Sequence, residues 1–154
     1  MIDPSSIPIA ELLPHGANMI LLDRLLSYRE NKSVALSTVR RTSKFFDGSG
    51  VPAWAGLEYM AQTVAAHAGF EARLRGQPPQ IGFLLGTRRY ECAAAEFPLD
   101  AELAVTVEPL FAEQGLASFS CTIEHARVLA RAVLNTYRPD AAELARLRSR
   151  PAAG

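Results

Sequence analysis

The hydrophobic positions of this chain follow two different periods, and the longer one marks a helix. Between residues 53 and 75 the sequence is rich in Ala, Leu, Met, Gln and Glu and is apolar on nearly every side. Pro52 suits a first helical turn, and Gly76, Pro78 and Pro79 form a stop signal. Because a helix that is hydrophobic all round must be enclosed, the pattern predicts one buried helix of about six turns.

Strands account for the other apolar segments. Alternation at Leu103, Val105 and Val107 indicates a sheet with one buried face. Short links at 112–115 and 124–127 fit antiparallel hairpins. A short helix is predicted at 8–13, and strands are predicted at 19–26, 33–40, 81–92, 101–110, 116–124 and 127–137. This α+β order predicts a curved antiparallel sheet wrapped around one long central helix.

Length and composition fit one globular domain. The chain has 154 residues, of which 49% are hydrophobic and 21% are charged. We expect a single domain over residues 1–138 and a basic, helical C-terminal tail over residues 139–154.

Charge and cysteine content exclude several classes of function. Sixteen basic and sixteen acidic residues cancel, so no overall field attracts nucleic acid. Cys92 and Cys121 fit neither a disulfide framework nor zinc-ligand spacing, and we expect two reduced core cysteines and no metal site.

No targeting segment or membrane span is predicted. The N-terminus lacks a basic region followed by an apolar one. The apolar run over residues 53–70 is interrupted by Glu58, Gln62 and His67, which argues against a span. We therefore expect a cytoplasmic protein.

Polar residues inside the buried helix are the first candidates for chemistry. Glu58 lies about a turn and a half from the helix start, where free N–H groups and the helix dipole favour negative charge. A carboxyl there can act as a general acid or base, although a first-turn Glu can also simply face solvent. Gln62 shares its face and can hydrogen-bond either the carboxyl or a substrate carbonyl.

The three histidines differ in their surroundings. His67 is nine residues from Glu58, about 180° around the helix, and is interpreted as a hydrogen-bonded core or interface residue. His15 lies in a Pro-His-Gly loop, from which a side chain can reach a site built by other elements. His125 falls in a predicted hairpin turn, where we expect it to be exposed and inert.

Two basic groups offer a surface for an acidic partner. Arg88 and Arg89 are consecutive on a predicted strand and should face opposite sides, while Arg40, Arg41 and Lys44 form the second group. Such charges are usually solvated, but a substrate carried by an acidic protein would dock on one of them.

Five motifs resemble those of FabZ-type 3-hydroxyacyl-ACP dehydratases, where ACP is acyl carrier protein. Leu-Pro-His at 13–15 and Met-Ile-Leu-Leu-Asp-Arg at 19–24 resemble their Leu-Pro-His opening and Leu-Leu-x-Asp-Arg strand. Phe-Phe-Asp-Gly at 45–48 is similar to their Phe-Phe-x-Gly. Pro-Ala-Trp-Ala-Gly-Leu-Glu-Tyr-Met-Ala-Gln at 52–62 resembles the start of their central helix, and Gly-Phe-Leu-Leu-Gly at 82–86 the strand after it.

The chain resembles in particular the ApeP-like branch, dehydratases attached to aryl polyene pigment clusters. The likeness covers about residues 8–138 and includes the Gly-Phe-Leu-Leu-Gly-Thr-Arg stretch. It implies a hot-dog fold, a phosphopantetheine-linked acyl substrate on ACP, no cofactor, and a site between two protomers of a homodimer or a heterodimer. The implied reaction converts (3R)-3-hydroxyacyl-ACP to trans-2-enoyl-ACP in fatty-acid or aryl polyene type biosynthesis.

The resemblance also implies roles for individual residues. Glu58 is the expected acid, and backbone N–H groups at Ala53 and Trp54 are expected to polarise the thioester carbonyl. Leu57 and Phe83 are expected to line the acyl tunnel, together with Met60, and Gln62 is a further expected substrate contact.

The catalytic base departs from the family pattern. FabZ-type enzymes carry a histidine in a Gly-His-Phe-Pro-Gly loop before the helix, but here the loop is shorter and reads Gly-Ser-Gly at 48–50. The hypothesis is that His15 replaces it, with Ser49 or Asp47 as alternatives. Two other functions stay open, a hot-dog acyl thioesterase and a non-catalytic acyl-ACP-binding subunit of a hot-dog heterodimer.

Overall fold

The computed structural model describes residues 2–80 and 82–149. Position 81, at the start of a predicted strand, and residues 150–154 of the predicted tail lie outside the described residues. In the described part, no helix combines the length and apolar character needed to cross a membrane.

Within the described residues, the fold contains two α-helices and eight strands. In chain order they are β1 Arg24–Arg29, β2 Lys32–Thr38, β3 Gly50–Pro52, α1 Gly56–Leu74, β4 Phe83–Cys92, β5 Glu96–Pro98, β6 Glu102–Glu113, β7 Leu116–His125, β8 Arg127–Tyr137 and α2 Ala141–Ser149. Short 3-10 helices span Pro4–Ser6, Ile9–Glu11, Ala17–Met19 and Ala53–Ala55.

Six antiparallel strands form the main sheet in the order β1-β2-β6-β7-β8-β4. The sheet curves around α1, which packs against β1, β2, β6, β7 and β8. Inward residues of these strands, such as Leu103, Val105, Ile123 and Leu134, are fully buried against the helix. The predicted α+β architecture is therefore confirmed.

The N-terminal segment approaches α1 closely. A Cβ atom at Gly69 would lie 1.9 Å from the carbonyl oxygen of Leu12, so only glycine permits this contact. Leu12 and Leu13 are buried against the core. This contact holds the following loop, which carries His15, beside the helix.

The first strand starts later than its hydrophobic pattern predicts. Residues 17–19 form a 3-10 turn, and β1 begins only at Arg24. Leu21 donates its backbone N–H to the Gln62 side chain, and Met19 accepts a bond from the same side chain. These backbone groups therefore pair with the helix instead of a neighbouring strand.

The expected orientation of Arg88 and Arg89 is wrong, because β4 contains a bulge. Its pairing with β8 is irregular between Arg88 and Glu91, and Arg89 has a positive φ of 54°. A bulge interrupts the alternation of side chains. Both arginines consequently line one groove.

The C-terminal tail forms a surface helix. None of the residues of α2 is buried. Asp140 caps its start by accepting the backbone N–H of Glu143, and Tyr137 donates a hydrogen bond to the Glu143 carboxylate. The division into a domain and a tail at residue 138 stays a prediction.

Candidate active site

One cavity of about 500 Å³ lies between α1 and the strand ends. Its helix wall contains Glu58, Ala61, Ala65 and Ala68, which share a face by their spacing of three and four residues. The opposite wall comes from the β6–β7 turn, the end of β8 and the start of β4, and the loop with His15 also lines the space. Small alanines on the helix leave room for a ligand beside the only carboxylate on this helix face.

Gln62 holds the Glu58 carboxyl in place. Its side-chain Nε2 donates to Glu58 Oε1 at 3.0 Å and to the carbonyl oxygen of Met19 at 2.7 Å, while its Oε1 accepts from the backbone N–H of Leu21 at 2.8 Å. A backbone N–H can only donate and a carbonyl can only accept, so these neighbours fix the orientation of the amide. Glu58 Oε1 must therefore accept a hydrogen bond.

This network leaves Gln62 with no free donor. The side chain is fully buried, and both hydrogens of its Nε2 are used. Of the two partners considered from sequence, the Glu58 carboxyl is the one present. Gln62 orients Glu58 from behind and does not line the cavity.

His15, which lines the same cavity as this carboxyl, has an unpartnered nitrogen. Its ring is half-buried, and within residues 2–80 and 82–149 its Nδ1 is buried without a hydrogen-bond partner. Buried polar atoms are nearly always paired, so an exception suggests a missing ligand or a chemical role. The same cavity is thus lined by an oriented carboxyl and by the His15 ring.

Comparison with known proteins assigns the chain to a family. The model of the ApeP-like family, described as ApeP dehydratase, matches residues 7–147. The chain belongs to the ApeP-like dehydratase family. Among curated proteins no significant match was found.

Solved structures agree with this family and with the hot-dog fold. The dehydratase heterocomplex ApeI:P from Xenorhabdus doucetiae matches with a TM-score of 0.85 and 29% identity, over 94% of this chain and 99% of that chain. A hypothetical thioesterase with coenzyme A from Streptococcus pneumoniae TIGR4 matches with a TM-score of 0.59 and 11% identity, over 75% and 84% of the two chains. At that identity the second likeness shows the fold alone.

The other predicted site residues divide into two groups. Phe83 lines the cavity, whereas Ala53, Trp54 and Leu57 do not. The Trp54 side chain is 61% exposed and packs edge-on against Phe45. Ala53 and Trp54 lie in the 3-10 turn before α1, and Leu57 lies in the first turn of the helix.

The backbone N–H of Ala53 is already engaged. It donates to the carbonyl oxygen of Ala95 at 3.1 Å, while the Ala53 carbonyl accepts from the Tyr90 hydroxyl. Because an amide N–H makes one good hydrogen bond, Ala53 cannot polarise a thioester in this arrangement. The sequence-based expectation took this N–H as free.

Neither alternative base lies in the cavity. Asp47 accepts the backbone N–H groups of Ser49 and Gly50 in a surface turn, and these bonds hold the pKa of its carboxyl below the usual range. The Ser49 hydroxyl donates to Glu96 at 2.8 Å. Both side chains stabilise the loop before β3, and the cavity contains neither of them.

Sequence reasoning missed Arg138, which lies at the cavity wall. Its backbone N–H donates to the Gly115 carbonyl oxygen, extending the pairing of β7 and β8 by one residue. It is the only lysine or arginine among the described residues that line the cavity. Its place depends on the pairing of two strand ends, which a local pattern does not reveal.

Proposed function

We propose that this protein dehydrates (3R)-3-hydroxyacyl thioesters to trans-2-enoyl thioesters, with His15 as base and Glu58 as acid. The observation that carries the proposal is the shared cavity, which both side chains line without a hydrogen bond between them. Membership of the ApeP-like dehydratase family supports the reaction class.

The chemistry needs one proton acceptor and one proton donor. His15 takes the C2 hydrogen as a proton, and the electron pair of that C–H bond forms the C2=C3 double bond. The C3–O bond breaks, and Glu58 gives a proton to the hydroxyl, which leaves as water. A proton transfer through solvent from His15 to Glu58 then restores both groups.

The Gln62 network supports the acid role of Glu58. Since Oε1 accepts a hydrogen bond from Gln62, the proton of the acid form sits on Oε2. That oxygen is left free to donate to a substrate hydroxyl in the cavity. An acid with one fixed proton position needs little reorganisation during the reaction.

A second hot-dog subunit is part of the proposal. β4 is an edge strand of ten residues on which Phe83, Leu84 and Leu85 are exposed. Long apolar edges are templates for pairing with another chain. The related heterocomplex favours a different hot-dog protein as that partner, with a second copy as the alternative.

We further propose ACP as the carrier of the substrate, in cytoplasmic fatty-acid or aryl polyene type biosynthesis. The family supports this assignment, and the apolar walls of the cavity, including Phe83, Val64 and Phe119, are suited to an acyl or aryl group. No cofactor enters the proposed reaction, because proton transfers alone balance it.

The test is product analysis by mass spectrometry with 3-hydroxyacyl-ACP, using the protein alone and with its co-purified hot-dog partner. We expect loss of water with the thioester intact. Free acid and thiol would identify a thioesterase instead. No turnover by either preparation, with acyl-ACP still bound, would identify a non-catalytic binding subunit.

A further inference from the structure

A second groove, of about 550 Å³, lies on the sheet face turned away from α1. Ser118, Val133 and Asn135 line it, and they alternate along β7 and β8 with the core residues Phe119 and Leu134. Successive side chains of a strand point to opposite faces. The groove is therefore separated from the core by the sheet itself.

Two arginines without partners give this groove its charge. The β4 bulge brings Arg88 and Arg89 to the same side, and both are exposed. Among the described residues, neither makes an ion pair or a side-chain hydrogen bond, and no Asp or Glu lines the groove. Two guanidinium groups that lack carboxylates form a site for an anion, and phosphate suits their forked geometry.

Most of the remaining groove surface is apolar, and three of its apolar side chains are accessible. Leu110, Phe111 and Leu116 line it and are 57%, 55% and 44% exposed. Exposed apolar residues in a group mark binding surfaces more often than isolated ones do. A ligand with an anionic end and an uncharged chain matches this distribution.

The groove meets the candidate active site. Leu116, Ala117 and Thr136 line both the groove and the cavity that contains His15 and Glu58. Ala117 and Thr136 are paired across β7 and β8 near the strand ends, where a ligand can pass around the sheet. A chain that starts at the arginines therefore has a path to the reacting groups.

The cavity beside α2 lacks this excess of positive charge. It has about 930 Å³ and contains Arg138 and Arg148, but Asp140 and Glu143 line it as well. Carboxylates beside the cations weaken their attraction for a phosphate. The groove that contains Arg88 and Arg89 is therefore the better anion site.

We propose that this groove binds the phosphopantetheine arm of the acyl carrier, with Arg88 and Arg89 on its phosphate and Leu110, Phe111 and Leu116 along its chain. The inference rests on the proposed thioester chemistry. It adds the route by which the thioester reaches the cavity lined by His15 and Glu58.

The experiment compares two synthetic substrates that differ only in the phosphate, the 3-hydroxyacyl thioesters of 4′-phosphopantetheine and pantetheine. For the native protein or complex we expect the phosphate to raise kcat/KM at least about tenfold, mainly through a lower KM, because it adds binding away from the reacting atoms. The double variant Arg88→Ala/Arg89→Ala should lose this advantage, so that the two substrates give about the same kcat/KM. Arg127→Ala, a change of an exposed arginine outside the groove, should retain the advantage.

Persistence of the phosphate advantage in the double variant would overturn the proposal, as would its absence in the native protein. If the native protein dehydrates neither thioester, the proposed function fails, and calorimetric titration with 4′-phosphopantetheine and pantetheine still decides the groove. Tighter binding of the phosphorylated compound, lost in the double variant only, supports the site. A final experiment compares the ACP-linked substrate with the coenzyme A-linked substrate. Equal kcat/KM values for the two would contradict the proposal that the phosphopantetheine arm is delivered by the carrier protein.

Discussion

Glu58 and Glu71 lie toward opposite ends of the central helix, and each is grouped with a histidine: Glu71 with His67 of the same helix, and Glu58 with His15 of the N-terminal loop. The two pairs differ in how completely they are hydrogen-bonded. His67 is buried and its Nδ1 lies 2.7 Å from the Ser33 hydroxyl, while its Nε2 lies 3.7 Å from Glu71, which accepts a bond from Tyr28. His15, which lines one cavity with Glu58, has a buried Nδ1 with no partner among the described residues. Both pairs combine the same residue types, yet only the second lines the candidate active-site cavity.

The difference shows how burial and hydrogen bonding distinguish a structural histidine from one that is available to react. At His67 every ring nitrogen faces a protein group, so burial is compensated and nothing is left to meet a ligand. At His15 a nitrogen has been removed from water without compensation, which a folded protein tolerates where a ligand completes the site. The comparison predicts that mutations at the two ends affect different properties.

The largest expected effect is on turnover at the Glu58 end. His15→Ala should lower kcat about 100-fold or more, the usual contribution of a general base. Its unfolding free energy should change by less than about 0.5 kcal/mol, because the ring loses no side-chain hydrogen bond. Steady-state kinetics and urea unfolding measure the two quantities, and unchanged turnover would remove His15 from the mechanism.

The next effect is on stability at the other end. His67→Ala should destabilise the fold by about 2–4 kcal/mol, because it opens a cavity in the core and leaves the Ser33 hydroxyl unpaired. Turnover per folded molecule should stay near the wild-type value. Loss of activity without loss of stability would place His67 in the chemistry and invert the comparison.

Replacing Gln62 should lower both turnover and the free energy of unfolding, each to an intermediate degree. Gln62→Leu leaves the backbone groups of Met19 and Leu21 unpaired, at a cost of about 1–3 kcal/mol, and releases the Glu58 carboxyl. Turnover should also fall, with an altered pH profile. Gln77→Leu, which changes an exposed glutamine, is the control, and equal effects of the two substitutions would contradict the positioning role.

The smallest effect is a pH dependence of stability at His67. Burial lowers the pKa of His67, and nearby Glu71 offsets this only in part. The unfolded chain therefore takes up a proton first, and stability should fall as pH drops below about 6.5, by at most about 1.4 kcal/mol per pH unit. Urea unfolding at pH 7.5 and 5.5 should show a smaller drop for His67→Gln than for wild type, whereas His125→Gln should match wild type. An equal drop in His67→Gln would contradict the assignment.

Local patterns predicted the long elements of the fold well. The helix was expected over residues 53–75 and spans Gly56–Leu74 after a 3-10 turn, and the last strand spans Arg127–Tyr137 as predicted. The pairing of β3 with β5 was missed, because three-residue strands contain too few positions for a period. The bulge at Arg89 was also missed, since it breaks the alternation on which strand reasoning relies.

The site was predictable only where its parts are close in sequence. Glu58 and Gln62 share a helix face by their spacing, and their hydrogen bond follows from it. The placement of His15 at the same cavity as Glu58 depends on the passage of the N-terminal segment across Gly69. Likewise, the bond from Ala53 to Ala95 joins distant segments, so no local pattern indicated that this N–H is occupied.

The most direct test compares the same substitution at the two carboxyls of one helix. Glu58→Gln and Glu71→Gln are assayed for dehydration of 3-hydroxyacyl-ACP by mass spectrometry, with urea unfolding as the check on folding. We predict that Glu58→Gln lowers kcat at least about 100-fold and that Glu71→Gln stays within about threefold of wild type. Loss of water at the wild-type rate in Glu58→Gln would contradict the assignment of this cavity as the active site.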